Sequence, residues 1–149
     1  MTEAQLTFDG DTDVTIRRSF SHPPAKVWRA LTEPSLIRQW LSPDLTGCEM
    51  DARPGGSFRY DWPEFFFSGP VLEVSAPHRM VHVEHFNGDT TQGPTVTTTL
   101  TADRPGTRMT VVMRCVSTPL LAMLCSRSIF TSSKYGQQGW PRPQGWLRS

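Results

Sequence analysis

The chain has no apolar run approaching the roughly 18 residues that a membrane-spanning helix requires. Its start, MTEAQLTFDGDTD, is acidic and has neither the basic nor the apolar region of a secretory leader. Both absences predict a cytoplasmic protein with no membrane partner. There is no excess of charge of either sign: 15 Lys and Arg oppose 14 Asp and Glu, a formal net charge of +1. That balance gives no electrostatic case for nucleic acid, which demands a clustered basic surface. Cysteine is scarce. The three thiols, Cys48, Cys115 and Cys125, are odd in number and form no C-x-x-C pair, which argues against a disulfide framework or a zinc site and predicts buried thiols. No H-x-x-x-H, H-E-x-x-H or G-x-S-x-G string occurs, so neither a metal nor a serine nucleophile is predicted, and no cofactor.

What is present fits one domain over residues 1–149, long enough for a single sizeable core. DVTIRRSF sets Val14, Ile16, Arg18 and Phe20 against Thr15, Arg17 and Ser19, the period of a half-buried strand. The period then lengthens. SHPPAKVWRALTEPSLIRQWL offers prolines at a helix start and Val27, Trp28 and Leu31 at helical spacing; Pro34 divides it into two short helices, about 24–32 and 35–41. From GCEMDA to TRMTVVMRC the remainder reads as successive strands joined by turn signals, an antiparallel meander. The order is β-α-α followed by six strands, an α+β class.

ARPGGSFRYDWP places two glycines before a strand whose alternate residues are aromatic. A phosphate-cradling loop feeds a helix N-terminus, because helix amides hold the anion. This loop feeds a strand. Pro54, Gly55 and Gly56 therefore predict a turn or bulge that aims Phe58, Tyr60 and Trp62 at the core.

The strings PPAKVWRALTEPSLIRQWL, CEMDARPGGSFRYD and FSGPVLEVSAPHRMVHVEHF resemble the bacterial homologues of the activator of the heat-shock-protein-90 ATPase. That family belongs to the helix-grip (SRPBCC) superfamily, with the START lipid-transfer and birch-pollen-allergen proteins. The resemblance runs across residues 14–115. It implies a sheet curved around a long C-terminal helix with a cavity between them, and little about chemistry. Ser68 and Pro70 depart from the family pattern, and Pro70 removes a ladder donor.

The larger departure follows Arg114. All acidic residues lie between Glu3 and Asp103, whereas 116–149 holds Arg127, Lys134, Arg142 and Arg148 with glycines and prolines that break a helix. Only TPLLAMLCSRSIF has helical spacing there, so the C-terminal helix is expected to be short or degraded. The change in composition leads to the expectation that residues from about 116 onward are the product of a shifted reading frame or a gene truncation, and an uncovered sheet face would then favour self-association.

Candidate chemistry concentrates on MVHVEHF, where alternation places Met80, His82, Glu84 and Phe86 on one face. His82 beside Glu84 is the candidate acid–base pair, with a satisfied polar rim as the alternative. Trp28, Trp40, Phe58, Tyr60, Trp62, Phe65, Phe67, Met80, Phe86, Val96 and Leu100 are the candidate cavity lining, and core packing explains the same residues equally well. Arg53 and Arg59 are candidates for the cavity mouth. His22 and His78 fall in loops.

The reading is a helix-grip protein, a monomer or weak dimer, that binds a hydrophobic or amphipathic small molecule. Docking on a chaperone ATPase is a second reading, which rests on the resemblance, and an enzyme using His82 and Glu84 is a third.

Overall fold

A computed structural model describes residues 5–9, 13–41, 43–91 and 93–115; the tail 116–149, with its expected short helix and Cys125, lies outside them. The elements are β1 (Gln5–Asp9), β2 (Asp13–Phe20), α1 (Pro24–Thr32), α2 (Pro34–Trp40), β3 (Gly47–Met50), β4 (Ser57–Asp61), β5 (Phe66–Ser75), β6 (Arg79–Val83), β7 (His85–Phe86), β8 (Thr95–Asp103) and β9 (Gly106–Arg114). All the strands form one antiparallel sheet in the order β1-β2-β9-β8-β6-β5-β4-β3, with β7 added beside β5. The meander from β3 to β9 is the predicted one. Its closure is not local: β2 returns to lie against β9, pairing Asp13 with Arg114 and Phe20 with Thr107.

The fold is the helix-grip α+β class. Its sheet buries one face mainly by alternation, with Thr15 and Val81 of the opposite parity also buried. Val14, Ile16, Arg18 and Phe20 on β2, Met109, Val111 and Met113 on β9, and Val96, Thr98 and Leu100 on β8 all point to the interior. The predicted outward threonines, Thr95, Thr97 and Thr99, are more exposed. Each fully buried aliphatic side chain, such as Ile16 or Leu100 at 1% exposure, stabilises the domain by about 1.5–3 kcal/mol relative to leaving it in water.

The helices cover one part of that inner face. Pro24 and Pro34 each sit in the first turn, where a missing N–H costs nothing. Val27, Trp28 and Ala30 of α1 and Leu36, Ile37 and Trp40 of α2 are buried. The Trp40 indole N–H donates to the Ala30 carbonyl at 2.8 Å, which locks α2 onto α1. No described helix is long and apolar enough to cross a membrane.

The glycine pair forms the predicted turn. Gly55 has φ +83°, a left-handed conformation that glycine adopts without cost. Its N–H donates to the Val71 carbonyl at 3.0 Å, and the Val71 N–H donates to Gly56 at 2.9 Å. The turn thus ties the start of β4 to the middle of β5. Immediately beyond Val71 the β5–β6 register slips by a residue, and Leu72 emerges there 48% exposed. Strand β5 runs on through Pro70, which faces Ser57 on β4.

Two elements differ from expectation. β1 is not among the strands that the sequence predicts: the five residues QLTFD are too few to signal a strand alone and acquire strand character by pairing with β2. RMVHVEHFN was read as one strand, but the ladder breaks at Glu84, whose N–H turns to the Pro94 carbonyl at 3.1 Å. His85 and Phe86 then pair with Ser68 and Phe67 of β5 instead.

An aromatic face with a buried histidine–glutamate pair

Directly opposed residues in an antiparallel sheet share a face. One row across four strands therefore collects Cys48 on β3, Tyr60 on β4, Phe67 on β5 and Phe86 on β7. Trp62 and Phe65 extend it, because the Trp62 N–H donates to the Phe65 carbonyl at 2.8 Å in the turn after β4. Their rings stack with centroids 4.9 Å apart. Phe67 stands edge-on to both, at 6.0 Å from Trp62 and 5.8 Å from Phe65, and Phe86 lies 5.3 Å from Phe67. Phe65, Phe67, Tyr60 and Phe86 are only partly buried, whereas Trp62 is buried.

The next row inward holds the polar pair. His82 faces Val71 on β5 and Val96 on β8, an apolar setting, and is 8% exposed. Its Nε2 lies 3.2 Å from Glu84 Oε1, and the Phe58 ring meets the imidazole edge-on at 4.9 Å. Phe58 is in turn 5.0 Å from Tyr60. The interruption of the strand at Glu84 leaves the two-residue alternation intact, so the histidine and carboxylate meet. Among the described residues, His82 Nδ1 and Trp62 Nε1 are buried with no hydrogen-bond partner.

Burial also sets the acidity of this face. The Cys48 thiol is pushed up to about 11 by desolvation, with Arg38 drawing it back and Glu49 adding to the rise. Desolvation holds the Tyr60 phenol well above its ordinary value, with Cys48 and Glu84 contributing negative charge nearby. At neutral pH both groups keep their protons.

Trp28, Trp40, Met80, Val96 and Leu100 are buried in one continuous core with Trp62 and Cys48, and Tyr60, Phe65 and Phe67 pack against it. Arg59 projects to the opposite face from Tyr60, where its Nε bonds Asp61 at 2.9 Å and its guanidinium covers the Phe66 ring at 4.0 Å. Arg53 pairs with Asp51 at 2.8 Å in the exposed turn. The loop histidines serve as local fasteners: the His22 carbonyl accepts from Thr107 Oγ1 at 2.6 Å, and His78 Nδ1 lies 3.1 Å from the Leu100 carbonyl. Cys48 and Cys115 are buried free thiols. An open cleft of about 260 Å³ between the end of β2 and the β8–β9 turn shares no residue with the aromatic face.

Two features of the site have no signal in the local sequence. Cys48 joins Tyr60 only through the β3–β4 register, which no local pattern states. The indole nitrogen of Trp62 is polar chemistry inside an apolar list. Elsewhere on the inner face Arg18, expected there from its alternation with Val14, Ile16 and Phe20, is 5% exposed opposite Met109.

The profile of the family described as Activator of Hsp90 ATPase homolog 1-like protein matches residues 21–142. The chain belongs to that family. The match begins at Ser21, takes in both helices and every strand from β3 to β9, and runs on to residue 142, further than the resemblance over residues 14–115 read in the sequence. Solved structures share the Activator of Hsp90 ATPase homolog 1-like architecture. A Rhodobacter sphaeroides protein is 25% identical with a TM-score of 0.80, covering 93% of this chain and 95% of that one. A Mycobacterium smegmatis protein is 23% identical with a TM-score of 0.78, covering 90% and 92%. A Nitrosomonas europaea protein is 25% identical with a TM-score of 0.70, covering 88% and 96%. No curated protein matches the chain.

Proposed function

We propose that the protein binds an apolar or amphipathic small molecule against the aromatic face of β4, β5 and β7. The observation that carries this reading is the juxtaposition of a partly open aromatic wall, Trp62, Phe65, Phe67 and Phe86, with one buried polar pair, His82 and Glu84. Ligand sites have that composition: mostly apolar lining, with a few placed polar groups that fix orientation. The fold class commonly houses small hydrophobic ligands. Native mass spectrometry of gently extracted protein tests the proposal. A bound small molecule released on denaturation supports it; ligand-free protein that also fails to take up any apolar dye rejects it.

A second reading, docking on a chaperone ATPase, draws on the description of the family. Stimulation of a purified chaperone's ATP hydrolysis by this chain is its test, and no change in rate rejects it. The His82–Glu84 contact of 3.2 Å also has the geometry of an acid–base pair. For that third reading, Glu84→Gln must abolish a turnover that the intact chain performs.

A further inference from the structure

The chain parts from the sheet at the end of β2, and a cleft opens there. Phe20 makes the last pair of the β2–β9 ladder, with Thr107. The chain then leaves through Ser21 towards α1, while β8 and β9 run on to their two-residue turn, Arg104 and Pro105. Between the departing chain and that turn lies the open cleft of about 260 Å³. Two contacts fix its walls. Thr107, 1% exposed, donates its hydroxyl proton to the His22 carbonyl at 2.6 Å and holds the departing chain against β9. Gly106 lies so close to β2 that a Cβ there would collide with the Phe20 carbonyl oxygen, so the turn is seated on the strand end. The volume falls just under the roughly 300 Å³ at which ligand pockets begin, which suits a compact molecule.

Charge and hydrogen-bonding polarity narrow its class. Arg104, Ser19 and Ser21 line the cleft, and among the described residues the guanidinium and the two hydroxyls have no partner. A guanidinium only donates, and each hydroxyl has a proton to give. The carboxylate in the lining, Asp103, is turned to Arg108 at 3.8 Å. Arg108 stands directly opposite Ser19 in the ladder and so shares its face. Two guanidiniums against one carboxylate leave this rim positive. Phe20 and Pro105 supply the apolar part of the lining.

We infer that the cleft binds a compact organic monoanion, its carboxylate on Arg104 and the two serine hydroxyls, its apolar body against Phe20 and Pro105. A cation fits poorly, because it meets two guanidiniums and a carboxylate already engaged. The cleft shares no residue with the aromatic face, so this inference stands or falls apart from the reading proposed above.

The test titrates the isotope-labelled full chain with benzoate, benzyl alcohol and inorganic phosphate at pH 7 and constant ionic strength, following backbone amides by NMR. Benzoate should shift Ser21, Gly106 and Thr107 saturably. It should bind about fivefold tighter than benzyl alcohol, the scale of a solvent-exposed ion pair, and tighter than phosphate. Arg104→Gln should bring benzoate down to the level of benzyl alcohol; the residue is exposed in its turn, and the shift map of the unsubstituted chain gives the site without any variant. Equal affinity for benzoate and benzyl alcohol, or an advantage that survives Arg104→Gln, overturns the inference. Phosphate as tight as benzoate also overturns it, since the apolar lining would then contribute nothing. Shifts confined to Phe65, Phe67 and Phe86, or no saturable shift, overturn it as well.

Discussion

His82 Nε2 and Glu84 Oε1 meet at 3.2 Å on the inner face of the sheet, between Val71 and Val96, with both side chains largely withdrawn from solvent. Two residues apart on a strand is the shortest spacing that returns to the same face, so the contact is built into the local sequence. Glu84→Ala leaves the imidazole N–H without its acceptor and should lower stability by about 2 kcal/mol, whereas Glu84→Gln keeps an acceptor and should cost about half as much. Urea titrations followed by tryptophan fluorescence decide it. Equal midpoints for Ala and the unsubstituted chain would show that the pair contributes nothing.

Alkaline pH should weaken the fold. Cys48 titrates near 9.0 when exposed and at about 11 in the folded protein, so the folded state binds more protons between those values and stability falls as pH rises through that window. Tyr60, also raised, acts with the same sign. The urea midpoint should be unchanged from pH 7 to 8 and lower at pH 10. A midpoint that rises with pH would contradict the burial of both groups.

Reactivity follows from the same burial. Only the thiolate attacks a labelling disulfide, so at pH 8 Cys48 should resist modification in the native state and react on unfolding. Peptide mass mapping of singly labelled protein checks this. Rapid native labelling at Cys48 would show that the β3–β4 edge opens.

The two glycines of the β3–β4 turn should tolerate alanine very differently. A Cβ on Gly55 meets nothing within 4 Å, so Gly55→Ala incurs only the left-handed backbone penalty of about 1–2 kcal/mol. A Cβ on Gly56 would collide with the Asp51 carbonyl oxygen, and backbone must move to admit it. Gly56→Ala should cost about 3 kcal/mol or more. Thermal unfolding by circular dichroism ranks the two, and an equal loss would refute the close approach.

Trp40→Phe should lower stability by about 1–2 kcal/mol through the lost indole bond to Ala30, which leaves a buried carbonyl unsatisfied. A further Ala substitution at Ile37, fully buried beside it, should add about 2–5 kcal/mol. Denaturant midpoints of the single and double variants measure both, and a Trp40→Phe variant as stable as its parent would mean that the two helices are held by packing alone.

Much of the fold could be read from residue order because its elements are locally encoded. Prolines at helix starts place α1 and α2 within a residue of their observed limits, and period-2 alternation marks β2, β4, β8 and β9 with their buried faces. The His82–Glu84 pair belongs to the same class, being a contact at a spacing of two. Other features depend on a partner distant in sequence. β1 is a strand because β2 pairs with it, and the strand is interrupted at Glu84, where the N–H turns to the Pro94 carbonyl. Cys48 meets Tyr60, and Phe86 meets Phe67, through registers fixed across the sheet. Arg59 shows the difference in one residue: alternation already places Asp61 beside it, but only the turn into β5 brings Phe66 under its guanidinium. Periodicity and chain stiffness act over a few residues and are written in the sequence. Strand register and the burial of single nitrogens are set by which distant surfaces exclude water together, and those were decided by the tertiary structure.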